Sequence, residues 1–272
     1  MRFITISLLT YLVTGWAQAP AAPATDLSKG GTVLMLGDSI LDCHRGDSRI
    51  EVVMKRLLDA RTPQVPWTIY NEAHGGEYIG PKEGSPGGVS EPLFTTETTG
   101  RYFEIVRRHP KVDAVIVNYA ANDSKVYPPA IFRKKLEMLG GLLEKEYPGA
   151  VLIFSTSMYL DPAHSAPYSY DNPQVPGFKN GNSRDAYLEP YNKEIREFTA
   201  AHSYRLADTY RRLMVETAQG NWDLRIRASE RAGAQDDSKH EGDMAWFDNI
   251  HPNDRGTAVL ADLFAEVLTK SR

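Results

Sequence analysis

The stretch Thr32-Val33-Leu34-Met35-Leu36-Gly37-Asp38-Ser39-Ile40 decides how this chain is read. The run TVLML at 32–36 is β-branched or aliphatic without alternation, which describes a strand buried on both faces, as in a parallel sheet. Gly37 and Asp38 break the run, and Ser39-Ile40 then opens a helix. A strand feeding a helix through a tight turn begins an α/β unit. Ser39 therefore stands at the carboxyl edge of the sheet, where open α/β folds bind ligands.

The same pattern recurs outward. Apolar runs lie at 67–70 (WTIY), 112–117 (VDAVIV) and 151–154 (VLIF), with a weaker one at 204–207. Between them apolar residues return at helical spacing: Ile50, Val53 and Leu57; Phe132, Leu136, Leu139 and Leu143; Leu188, Tyr191, Ile195 and Phe198. The last stripe runs Val259, Leu260, Leu263, Phe264, Val267 and Leu268, with Asn253 as its N-cap. Strands alternating with helices predict a three-layer α/β sandwich around a mostly parallel sheet. With no dividing linker, one domain is expected over residues 28–270.

Composition narrows the function. A content of 42% hydrophobic and 24% charged residues excludes disorder. A net charge of -4 and a pI near 6.0 lack the footprint of a general nucleic-acid binder. The single cysteine, Cys43, excludes an internal disulfide framework and a Cys-based zinc site, and is expected to be a small buried hydrophobe. At the amino terminus Arg2 precedes a short apolar stretch, then the small residues Gly15, Ala17 and Ala19. That order predicts a signal peptide over 1–19, followed by a Pro/Ala-rich linker at 20–27. The stretch is too short to span a bilayer, which takes about 20 apolar residues. The mature protein is expected to be secreted or periplasmic, with no stable membrane insertion.

Four constellations carry chemistry. Ser39 has its hydroxyl and backbone N–H at the sheet edge, which suits a nucleophile that also helps to hold an oxyanion. The plain alternative is a helix cap, since Ser and Asp are the commonest caps. A serine nucleophile needs a base, and an Asp three residues before a His orients the imidazole. Asp161 with His164, Asp237 with His240, and Asp248 with His251 all meet that spacing. Context favours Asp248 and His251, because Asp248-Asn249-Ile250-His251-Pro252-Asn253 lies immediately before the last helix. Ala120-Ala121-Asn122-Asp123 follows the strand at 112–117 and offers a side-chain N–H, or else a simple turn. Asn71-Glu72-Ala73-His74-Gly75-Gly76 follows the second strand, where glycine lets backbone approach a ligand closely.

Taken together and in this order, the four resemble the SGNH (GDSL-type) hydrolase superfamily, over roughly residues 31–270. Gly37-Asp38-Ser39 resembles its nucleophile block, and Asp248 to Pro252 its terminal Asp-x-x-His-Pro. Ala120-Ala121-Asn122-Asp123 resembles its Gly-x-Asn-Asp, with Ala120 where the family usually has Gly. Gly76, five after Asn71, matches its Gly, with Gly75 and Gly80 as competitors. The resemblance implies a five-stranded sheet in flavodoxin-like order and a metal-free, cofactor-free ester hydrolase. In that scheme Ser39 attacks, His251 is the base oriented by Asp248, and Ser39, Gly76 and Asn122 hold the oxyanion. Asp38 is expected to be structural.

Three long connections, at 77–100, 160–185 and 219–244, suggest lids or binding edges. Their Tyr168, Tyr170, Trp222, Asn and Arg residues suit a polar, sugar-like ligand, and the resembled superfamily includes carbohydrate O-acetylesterases, so the resemblance implies removal of O-acetyl groups from carbohydrate, on a small-molecule or polysaccharide substrate. The alternatives are a lipase, arylesterase or thioesterase acting on apolar acyl esters, and a non-catalytic glycan-binding protein of the same fold. A metal hydrolase using Asp236, Asp237, His240, Glu241 and Asp243 lacks recognised ligand spacing.

Overall fold

The computed structural model describes residues 25–43, 46–81, 92–96, 98–162, 184–222, 225–227, 240–241, 244–246 and 251–270. The expected signal peptide, and residues 20–24 of the expected linker, lie outside them.

Five strands form one sheet: β1 (Gly31–Gly37), β2 (Trp67–Asn71), β3 (Ala114–Asn118), β4 (Val151–Ser155) and β5 (Arg205–Ala207). Their order is β2-β1-β3-β4-β5 and every pairing is parallel. The strands coincide with the apolar runs of the sequence. Eight helices accompany them among the described residues: α1 (Ser39–Asp42), α2 (Ile50–Arg61), α3 (Arg101–Arg108), α4 (Asp123–Val126), α5 (Pro129–Glu146), α6 (Arg184–His202), α7 (Thr209–Ala218) and α8 (Asp254–Thr269).

The unbroken runs have a simple origin. Side chains alternate across a strand, and here both sides meet helices. Val33, Met35, Ala114, Ile116 and Ile153 pack with Ile50, Met54 and Leu58 of α2 and with Leu260 and Phe264 of α8. Leu34, Leu36, Val115, Val117, Leu152 and Phe154 face the other way, against α3, α5 and α6 through Tyr102, Ile105, Phe132, Leu136 and Phe198. Each such side chain contributes about 1.5–3 kcal/mol on burial. The result is the three-layer sandwich that the pattern predicts.

The crossovers also set where a ligand fits. α2, after β1, lies on one face, whereas α3 and α5, before and after β3, lie on the other. Connections therefore leave the carboxyl ends of β1 and β3 in opposite directions, opening a crevice between them. Ser39 follows β1 and Asn122 follows β3.

Two regions depart from the sequence reading. The connection at 219–244, expected as a lid or binding edge, contributes to a three-stranded antiparallel sheet, β6 (Arg225–Arg227), β7 (His240–Glu241) and β8 (Met244–Trp246), in the order β6-β8-β7. Such short strands leave no legible alternation. The described ends of 77–100 are core rather than lid: Tyr78 bridges to Pro92, and Ile79, Leu93 and Phe94 are fully buried.

Candidate active site

Gly37 ends β1 with its backbone close to β3; a Cβ there would lie 2.7 Å from the Asn118 carbonyl oxygen. Asp38 follows in extended conformation, and its Oδ1 accepts the Ile40 N–H at 2.9 Å. The cap of α1 is thus Asp38, fully buried and structural. Ser39 begins the helix and is partly exposed between two buried neighbours. With only four residues in α1, little macrodipole accumulates. What the turn offers is the Ser39 N–H itself, which meets no acceptor among the described residues.

Beyond β2 the chain stays beside the end of β1, with Glu72 N–H donating to Met35 O and His74 N–H to Gly37 O, both at 2.9 Å. Asn71 is structural: Nδ2 donates to Leu41 O at 2.9 Å and Glu51 Oε2 at 3.1 Å, and Oδ1 accepts from Ala73 N–H. The three glycines left open by the sequence are now distinguished. Gly75 N–H donates to Asp42 Oδ2 at 3.1 Å, and a Cβ on Gly75 would come within 4.0 Å of the Ser39 Cβ. Gly80 is a packing glycine, since a Cβ there would lie 2.4 Å from Pro92 Cβ. Gly76 takes φ +81°, a left-handed conformation that glycine adopts freely, and its N–H meets no acceptor among the described residues.

The third group comes from β3. Asn122 is buried, donates from Nδ2 to Glu77 O at 3.2 Å, and accepts the Lys125 Nζ on Oδ1 at 3.0 Å. Ala120, where the resembled pattern has glycine, sits at φ +154°, on the side of conformational space that glycine favours. Glu77 holds Gly76 and Asn122 together. Its buried carboxylate receives Arg101 at 2.7 and 3.0 Å and the Tyr119 hydroxyl at 2.5 Å, while its carbonyl receives Asn122. Three carboxyl groups, Asp38, Glu77 and Asp123, are thus buried behind Ser39. Burial, helped by the neighbouring acids, pushes Asp123 up to about 8. Burial also raises Asp38, to about 6, against the opposing Ile40 N–H and the charges of His251 and Lys125.

His251 arrives from the far end of the sequence. It is partly buried on the turn before α8, whose start is fixed by Asn253: Oδ1 accepts Gly256 N–H at 3.0 Å and Trp222 Nε1–H at 3.2 Å. The next residue, Pro252, brings its carbonyl within 4.0 Å of Cys43 Sγ, which also donates to Ile40 O. The histidine turn therefore packs on α1, and His251 is near enough to Asp38 for its charge to be felt there. Cys43 is partly exposed rather than the buried hydrophobe expected.

Ser39 and Asn122 thus follow the carboxyl ends of β1 and β3, the segment at Gly75 runs beside Ser39, and the turn that bears His251 packs on α1. Asp248 and His164 lie outside the described residues, and His240 falls in β7. Sequence reasoning missed Asp42, Glu77, Arg101, Tyr119 and Lys125. Asp42, Arg101 and Tyr119 meet their partners across 24 to 42 positions, so no spacing joins them; Glu77, next to Gly76, and Lys125, three residues after Asn122, carried a local signal. A groove of about 1330 Å³ lies elsewhere, at the amino ends of β4 and β5 between Gly149, Tyr204, Arg205 and Val267, and none of the candidate residues lines it. Among the described residues no cluster of His, Cys, Asp or Glu suits a metal ion, and no helix is long and apolar enough to cross a membrane.

Comparisons agree with this fold. Residues 35–259 match the model of the GDSL-like lipase/acylhydrolase family. An alpha/beta hydrolase from the metagenome of Lake Arreo, Spain, superposes with TM-score 0.59 at 16% identity, covering 89% of this chain and 97% of that one. An acetylxylan esterase from Geobacillus stearothermophilus gives TM-score 0.56 at 15% identity, over 90% and 97% of the two chains. A second acetyl xylan esterase gives 0.57 at 16% identity, over 86% and 97%. At these identities the likeness is one of fold. No curated protein matched the chain.

Proposed function

The chain belongs to the GDSL-like lipase/acylhydrolase family of ester hydrolases, and from that premise we propose that it is an exported serine esterase that removes O-acetyl groups from carbohydrate. The reading is supported chiefly by one observation: the Ser39 and Gly76 N–H groups meet no acceptor among the described residues, and a Cβ on Gly75, the neighbour of Gly76, would come within 4.0 Å of the Ser39 Cβ, beside the end of β1.

In the proposed reaction His251 removes the Ser39 hydroxyl proton as Oγ attacks the acyl carbon. Negative charge moves to the carbonyl oxygen, where Ser39 N–H, Gly76 N–H and Asn122 Nδ2–H donate to it. The intermediate collapses, the ester C–O bond breaks, and His251 returns the proton to the leaving alcohol. Water, deprotonated by His251, then releases the acid and restores Ser39. Asp248 holds the imidazole and stabilises its protonated form. Acetyl as the acyl group is supported by the polar composition of the connection at 160–185 and by two structural neighbours described as acetylxylan esterases.

The test is a panel of acetylated polysaccharides and p-nitrophenyl esters of increasing acyl length, run with wild type and Ser39→Ala. Activity that falls sharply beyond acetyl and vanishes in Ser39→Ala is expected. Full retention on octanoyl esters would overturn the acetyl assignment in favour of an apolar acyl substrate. Glycan retention without any turnover by wild type would overturn the enzyme.

A further inference from the structure

We propose that Lys125 is a positioning residue of the oxyanion hole, fixing and polarising the Asn122 carboxamide; this rests on the reading of Asn122 as an oxyanion donor. A carboxamide presents an oxygen and an NH₂ that are nearly equal in shape, so its direction is set by its neighbours. Here each neighbour allows one direction only. An ammonium can only donate, and Lys125 Nζ lies 3.0 Å from Asn122 Oδ1. A carbonyl can only accept, and Glu77 O lies 3.2 Å from Nδ2. Reversing the amide would set NH₂ against ammonium and oxygen against oxygen. The two contacts together lock the group and leave the second Nδ2–H as the donor for a ligand.

The placement follows from local structure. Asn122 is the residue before α4, and Lys125 lies three positions on, one turn along the same helix face. The Glu77 carbonyl is fixed in turn by the carboxylate of the same residue, held by Arg101 and Tyr119. The ammonium does more than orient. A positive charge on Oδ1 draws electron density from the amide nitrogen, which makes Nδ2–H a stronger donor as the acyl oxygen becomes an oxyanion. Lys125 is itself partly exposed, so its replacement is compatible with folding.

A double-mutant cycle on p-nitrophenyl acetate tests this. Lys125→Met is expected to lower kcat about 10-fold to 30-fold with KM within about twofold, a fraction of the 10²–10³ that loss of the donor itself costs. Lys125→Arg, which keeps a cation, should restore most of the loss. In an Asn122→Ala background Lys125→Met should have no further effect, since the amide it orients is gone. If Asn122→Ala is damaged and the two losses multiply, Lys125 acts independently and the proposal is wrong while the reading of Asn122 stands. If Asn122→Ala keeps full kcat, that reading fails and takes the proposal with it. A loss confined to KM would likewise overturn a role in the transition state.

Discussion

Replacing Asp123 by Asn measures what it costs to keep three acids behind the nucleophile. The Asp123 carboxyl is fully buried; Oδ1 accepts the Ile79 N–H at 3.0 Å, and Oδ2 has no hydrogen-bond partner among the described residues. Burial first, then the nearby Asp38 and Glu77 charges, push it from 3.8 to about 8. At neutral pH the folded chain therefore holds a proton that the unfolded chain has released. Where the native state binds more protons, stability falls as pH rises, by about 1.4 kcal/mol per pH unit for one proton. The contribution is fully present below about pH 4 and is lost as pH rises through about 8. Between pH 5 and pH 7 the loss from this group amounts to about 2.7 kcal/mol. Asn cannot ionise and still offers an oxygen to Ile79. The stability of wild type relative to Asp123→Asn should therefore fall by about 2–3 kcal/mol over that interval, with the other titrating groups cancelling. Urea unfolding at pH 5, 6 and 7, extrapolated linearly to water, gives the difference directly. Curves for the two proteins that run parallel would refute the reasoning, because Asp123 would then be ionised in the fold.

Three further outcomes are expected. His251→Ala should remove nearly all turnover, as Ser39→Ala does, with Asp248→Asn intermediate and His164→Ala and His240→Ala mild. Equal damage from His164→Ala and His251→Ala in ester assays would shift the base to the 161–164 pair. Gly37→Ala puts a methyl group 2.7 Å from the Asn118 carbonyl and so must separate β1 from β3. It should cost at least about 2 kcal/mol, and an unchanged thermal midpoint would contradict the close approach. Arg101→Met leaves the buried Glu77 carboxylate without its cation, a loss of about 3 kcal/mol. Denaturant unfolding at wild-type stability would mean that Glu77 is not the anchor of the Gly76 segment.

Much of this was legible because the parallel sheet is covered on both faces. Residues 32–36, 112–117 and 151–154 are apolar at every or nearly every position, and strands with one solvated face do not read that way. Ser39 and Asn122 follow directly from their strands, so their place at the sheet's carboxyl edge came with the strand assignment. The strand order came from the family resemblance rather than from periodicity, which carries no information about neighbours. The sequence left Gly75, Gly76 and Gly80 as alternatives, and only the bond from Gly75 N–H to Asp42 and the crowding of Gly80 tell their surroundings apart. Likewise Glu77, Arg101 and Tyr119 meet across 24 and 42 positions of sequence, and charges that far apart carry no pattern.

Cys43 and Pro252 touch across 209 positions, carrying the turn that follows the nucleophile onto the turn that bears the proposed base. Ribosomes deliver these halves in a fixed order, hydroxyl early and imidazole late. On the proposed roles, a nascent polypeptide has every strand of the parallel sheet before it has any means of deprotonating Ser39. On those same roles, ester cleavage waits for α8 to dock and bring the imidazole turn onto α1.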